Sequence, residues 1–149
     1  MPTVERLCRT DAGLAAELRT SVMRLRRRLA SEQHPDNPLS LGAMAVLGQL
    51  MRHGELTVGE LARAEKVQPP SMTRTVRFLD EEGFVSRRQH ETDGRQVVVA
   101  LTERGRATVL ADRRRRDAWL AKRLAALTPD ERAALRAAAP ILDRLAQAD

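Results

Sequence analysis

Residues 56–83 read LTVGELARAEKVQPPSMTRTVRFLDEEG, and their punctuation decides the fold. Thr57-Val58-Gly59-Glu60 fits a capping box, in which the Thr and Glu side chains satisfy each other's exposed backbone amides. Leu56 and Leu61 stand at the two positions of a hydrophobic staple around it. A short helix is therefore predicted from Thr57 to about Ala64. A four-residue link, Glu65 to Gln68, follows. Pro69 and Pro70 then open a second helix, where a missing amide proton costs little. Gly83 closes it in the C-terminal cap position. Two short helices across so tight a link predict a helix-turn-helix.

The second helix has two distinct faces. Met72, Val76 and Leu79 recur at four- and three-residue steps and form the predicted buried stripe. Pro70, Thr73, Arg74 and Arg77 lie opposite, with Gln68 and Ser71 near the start. This face mixes short hydroxyls with two arginines and has no acid before Asp80. Arginine can bond bidentately to guanine, and hydroxyls can bond to bases or phosphates, so the face suits a major groove. Asp80, Glu81 and Glu82 sit where such a helix would leave the groove.

Downstream, residues 84–89 read as a strand, Asp93-Gly94 as a hairpin turn and residues 96–101 as the return strand. Arg87 and Arg88 lie on the outgoing strand and Arg95 just past the turn. An arginine at a hairpin tip can reach a minor groove, where narrow A·T tracts deepen the negative potential. Asp93 is expected to hold an arginine side chain, Arg77 or Arg95 itself, by a charge-assisted bond.

Farther out, Leu14, Leu18, Val22, Leu25 and Leu29 mark an amphipathic helix that His34-Pro35 breaks. Ser40 caps another, with Ala43, Leu47 and Leu50 in phase, ending around Gly54. Thr102 caps a long helix running to about Ala126. Thr128-Pro129-Asp130-Glu131 is a second capping box, and the last helix is expected to kink or break at Pro140. The fold class is mainly α with a small β-hairpin wing.

Aromatic residues make up 2% of the 149, so the core must be aliphatic. The formal charge of +6 weakly favours a polyanionic partner. Residues 55–101, however, hold 7 basic and 8 acidic side chains, a net of −1. A nucleic-acid reading must therefore rest on which face the arginines occupy. The lone Cys8 excludes an internal disulfide and fits a reducing compartment. With no apolar run of membrane-spanning length and no signal-like N-terminus, no membrane association and a cytoplasmic place are expected.

These stretches, together with Val67 to Arg77, Leu79-Asp80-Glu81-Glu82-Gly83-Phe84-Val85-Ser86-Arg87, Asp93-Gly94-Arg95 and Leu101-Thr102-Glu103-Arg104-Gly105, resemble the MarR family of bacterial regulators. The likeness is closest from Leu39 to Val109, and Asp-x-Arg followed by Leu-Thr is its most specific motif. It implies a winged helix-turn-helix lobe (39–109) flanked by a dimerisation domain of N-terminal (1–38) and C-terminal (110–149) helices. It implies a homodimer on a pseudo-palindromic duplex operator, often controlled by a small ligand between the dimer and DNA lobes. By this resemblance Arg95 enters the minor groove, and Gln68, Ser71, Thr73, Arg74 and Arg77 enter the major groove. A ligand pocket would be lined by Met44, Leu47, Met51 and Trp119, for a small apolar or phenolic effector held mainly by aliphatic contact. The terminal helices support a dimer independently, because their apolar seams need a burying surface.

The remaining candidates are weaker. Cys8 is flanked by Arg6 and Arg9, which favour a thiolate, so a redox-responsive regulator is one alternative. The chain lacks the tyrosines that peroxide-responsive relatives place around their thiol. His34, His53 and His90 have no metal-site spacing, so no metal or other cofactor is expected. His90, in the wing, faces either phosphate or solvent. Arg113 to Arg116 run around a helix circumference and cannot form one face. No phosphate-binding glycine loop or nucleophile elbow occurs, so no enzyme is expected. A winged helix that docks on another protein is the other alternative, kept alive by the net −1 of the lobe.

Overall fold

A computed structural model of the chain describes residues 9–148. Cys8 and Arg6 lie outside the described residues. Among the described residues, six helices and three short strands follow in order: α1 Asp11–Ala30, α2 Leu41–His53, β1 Leu56–Thr57, α3 Val58–Glu65, α4 Pro69–Glu81, β2 Val85–Gln89, β3 Val97–Leu101, α5 Glu103–Ala125 and α6 Pro129–Gln147.

Local chemistry sets the helix starts. Ser40 Oγ accepts the Ala43 amide at 3.1 Å, and Thr102 Oγ1 accepts the Gly105 amide at 3.1 Å. Both capping boxes close: Thr57 with Glu60, and Thr128 with Glu131. Pro69 and Pro70 fill the first two positions of α4.

The ends follow the same logic. Gly83 takes φ +81°, its amide donating to the Asp80 carbonyl at 3.0 Å and that of Phe84 to Leu79 at 2.9 Å. That pairing turns the chain out of α4 and drops Phe84 back onto the core. The α3–α4 link is one residue shorter than expected, because Glu65 stays helical. Lys66 makes the turn in the left-handed region at φ 53°.

The sheet is antiparallel in the order β1-β3-β2, with Val85 opposite Leu101 and Leu56 opposite Val99. β1 was not expected. Leu56 and Thr57 are too short a pair to show a strand period, and they pair with β3 while also serving as staple and cap. Pro140 does not break α6, which runs through it on a solvent-exposed stretch. There the loss of one backbone bond leaves no buried group unpaired.

The buried hydrophobic cluster runs from Leu39 to Val109 and draws on α2, α3, α4, the sheet and the start of α5. Leu47, Leu61, Leu79 and Val99 are completely enclosed. By contrast α1 and α6 contain no buried residue. Val22, Leu25, Leu135, Ile141, Leu142 and Leu145 are all left exposed. α5 joins the two regions: Gly105 and Val109 are buried, and so is Asp112, 3.3 Å from Arg116. No helix among the described residues is long and apolar enough to cross a membrane.

Candidate nucleic-acid interface

Burial fixes which way α4 faces. Met72, Val76 and Leu79 are buried at 2%, 1% and 0% exposure, as the period predicted. Gln68, Pro70, Ser71, Thr73, Arg74 and Arg77 are all exposed. None of the hydrogen bonds or ion pairs among the described residues engages the side chains of Arg74 or Arg77. Thr75, between the two faces, turns its hydroxyl back to the Ser71 carbonyl at 3.1 Å.

The hairpin stands beside this helix, its strands joined by residues 90–96. Within that loop Asp93 to Gln96 form a turn, with the Gln96 amide donating to the Asp93 carbonyl at 3.0 Å. Its central residues are Gly94 and Arg95, one position later than the Asp-Gly pair suggested. Arg95 is exposed at its tip.

Asp93 acts differently from expectation. Its Oδ1 accepts the Arg95 backbone amide at 3.1 Å, and its Oδ2 accepts Gln96 Nε2 at 3.4 Å. It pairs with neither the Arg77 nor the Arg95 guanidinium. The aspartate therefore shapes the turn and leaves the Arg95 side chain unengaged.

Arg87 and Arg88, read together from the sequence, are separated by the strand's two-residue alternation. Arg87 turns toward α4 and donates Nε to Asp80 Oδ2 at 2.9 Å. Arg88 turns to the other side and donates Nη2 to Glu55 Oε2 at 2.7 Å. A cleft of about 430 Å³ opens between α3, α4 and the hairpin, lined by Gly59, Arg63, Thr73, Arg87 and Arg95 among others. Arg88 is not part of it.

Arg63 was missed by sequence reasoning. Its signal was present: it lies one turn beyond Gly59, where a Cβ would come 3.7 Å from Arg63 Nη1. His90 also makes contacts that the sequence did not reveal. Its Nδ1 is turned into the wing loop, 3.3 Å from the Thr92 amide and 3.2 Å from that of Asp93.

The predicted ligand-pocket residues are dispersed. Met44 lines a cavity of about 470 Å³ with Val22, Leu25, Leu29, Val109 and Leu142. Leu47 is enclosed in the core and Met51 packs against it. Trp119 lies farther along α5, with the guanidinium of Arg28 4.6 Å and that of Arg123 5.2 Å from its ring. No cluster of three or more metal-binding side chains occurs among the described residues.

Residues 39–97 match the family model described as MarR family. An uncharacterized HTH-type transcriptional regulator of Mycobacterium bovis is 47% identical over 133 residues, covering 89% of this chain and 92% of the relative. Among solved structures, one of a proposed transcriptional regulator from Pseudomonas aeruginosa superimposes with a TM-score of 0.80 at 36% identity, covering 93% of this chain and 96% of the other. A MarR family protein from Bacillus stearothermophilus shares the fold with a TM-score of 0.81 at 24% identity, covering 94% and 97%.

Proposed function

The chain belongs to the MarR family of transcriptional regulators and carries its DNA-binding winged helix, and from that premise we propose that it works as a homodimer gripping a pseudo-palindromic operator. In this reading α4 enters the major groove. Arg74 and Arg77 read base edges there, and Gln68, Ser71 and Thr73 contact bases or backbone. Arg95 enters the flanking minor groove, and Arg63 and Arg87 face the phosphates between the two.

One observation carries this reading. The lobe is not basic overall, yet Arg63, Arg74, Arg77, Arg87 and Arg95 stand exposed on α3, α4 and the hairpin, around one cleft and one helix face. Of these five, only Arg87 has an acidic partner among the described residues.

The dimer is supported by what α1 and α6 lack. Neither buries a residue, and each leaves several large aliphatic side chains in solvent. Fully burying one such side chain is worth about 1.5–3 kcal/mol. These side chains are already about half covered, so a second copy over these faces would gain a fraction of that for each.

The regulator is a repressor in this proposal, and a small apolar or phenolic effector lowers its affinity. The aliphatic cavity beneath α1, α2, α5 and α6 supports such a site, because a ligand there would touch both terminal helices and the lobe. A tenfold loss of affinity needs only about 1.4 kcal/mol of preference for a dimer with misplaced recognition helices.

The test is an anisotropy titration of a labelled duplex from DNA upstream of the protein's own gene, with a random duplex as control, at several salt concentrations. Tight binding to the upstream duplex, a wide margin over the control and a steep salt slope are expected. Absence of binding to either duplex at low salt would overturn the reading.

A further inference from the structure

Arg95 can serve a minor groove only if its loop is held in shape, and the structure shows what holds it. Residues 90–96 make only two backbone-to-backbone hydrogen bonds with one another, so side chains must take the other amides. Asp93 satisfies two, its Oδ1 taking the Arg95 amide and its carbonyl that of Gln96. Two others, of Thr92 and Asp93, point at His90 Nδ1 at 3.3 and 3.2 Å, and Thr92 Oγ1 lies 3.2 Å from the same atom. The His90 amide in turn donates to the Gln96 carbonyl at 3.0 Å and closes the base of the loop. Backbone amides can only donate, so Nδ1 must present a lone pair and the ring proton must sit on Nε2.

We propose that His90 is the positioning residue for Arg95: neutral, it gathers the wing-loop amides on Nδ1, and protonated, it releases them and loosens the wing. The inference rests on the reading of Arg95 as a DNA contact. Protonation would place an N–H against two N–H groups, so the bonds cannot persist with the ring where it is. Glu55, Glu60 and Glu91 line the hollow beside His90, and Arg88 is the one basic side chain among its lining residues. Glu55 is paired with Arg88, and Glu60 accepts the Thr57 amide at 2.8 Å. On its own loop, Asp93 is turned to Arg95 and Gln96, and Arg95 lines the cleft beside α3 and α4, not the hollow beside His90.

Asparagine separates the two roles of the imidazole, because Oδ1 accepts from amides two and three residues ahead and does not titrate. DNA affinity of the full chain is measured at constant ionic strength from about pH 8 to about pH 5, the interval in which imidazoles change charge. Wild type, His90→Asn, His90→Ala and Arg95→Ala are compared.

At the alkaline end His90→Asn should bind like wild type, and His90→Ala should bind several-fold more weakly. On acidification wild type should lose affinity relative to His90→Asn, by no more than the factor that Arg95→Ala loses. A wild type that gains on His90→Asn in acid would mean that only the added positive charge matters, and would overturn the proposal. Identical pH profiles for the two would do the same. The ring nitrogen shifts of ¹⁵N-labelled free protein give an independent reading: the Nε2–H tautomer is expected at the alkaline end, and the Nδ1–H tautomer contradicts the geometry. If Arg95→Ala binds like wild type, the wing reading beneath the proposal has failed, whatever His90 does.

Discussion

Arg95 sits at the exposed tip of a turn whose backbone is bonded by Asp93 and whose loop is gathered by His90, while its own guanidinium has no protein partner among the described residues. Arg95→Ala should therefore leave the fold intact and cost about 1–3 kcal/mol of DNA binding, roughly tenfold to a hundredfold in affinity. Anisotropy and thermal melting of the same preparation check both halves. Lys66 predicts the opposite kind of effect. Its left-handed backbone costs a side-chain-bearing residue about 1–2 kcal/mol, against about 0.5–1 kcal/mol for the extra freedom glycine loses on folding. Lys66→Gly should raise the melting temperature by a degree or more, and a lower temperature would show that the Lys66 side chain contributes something unseen. What could be read from sequence divides along similar lines. The exposed face of α4 was legible because helical period alone fixes it. The fate of Arg88, and the true partners of Asp93 and His90, depended on strand alternation and loop closure. Neither has a signature that can be resolved one residue at a time.

Among the elements, the helices were legible from their punctuation. Capping boxes, paired prolines and Gly83 are local chemistry and placed α3, α4 and the start of α6 nearly to the residue. β1 was illegible because a two-residue strand exists only by virtue of its partner, β3. The junction of α4, β2 and α5 shows how tightly these elements are coupled. Thr102 caps α5, and its hydroxyl also donates to the Gly83 carbonyl at 2.7 Å. Gly105, one turn in, is buried, and a Cβ there would collide with the Phe84 carbonyl and crowd the Leu101 side chain. Backbone cannot move aside as a flexible side chain can. Gly105→Ala should cost about 1–3 kcal/mol, an overpacking penalty, despite alanine's better helix propensity. Urea unfolding of the variant measures it, and an unchanged midpoint would mean that α5 can shift away from the hairpin freely.

For the whole molecule, apolar burial is lopsided. The hydrophobic core lies between Leu39 and Val109, while α1 and α6 bury nothing and keep aliphatic side chains in solvent. Composition could not reveal this, because it counts apolar residues without saying which find partners inside one chain. The amphipathic seams did point to it. Leu142 and Leu145 are 39% and 59% exposed on α6. If the proposed dimer forms through these helices, replacing both with glutamate should leave the lobe folded, give a monomer in analytical ultracentrifugation, and reduce operator affinity by far more than tenfold. A double variant that still sediments as a dimer would move the interface elsewhere.

In the proposed complex, two copies of α4 and the wing grip one duplex across a two-fold axis. Hydroxyl-radical footprinting on a duplex selected by the protein from a random pool tests it most directly. Two symmetric protected patches about 34 Å apart, one helical turn, are expected, with outer minor-groove protection that disappears in Arg95→Ala. A single patch, or protection unchanged in that variant, would contradict it.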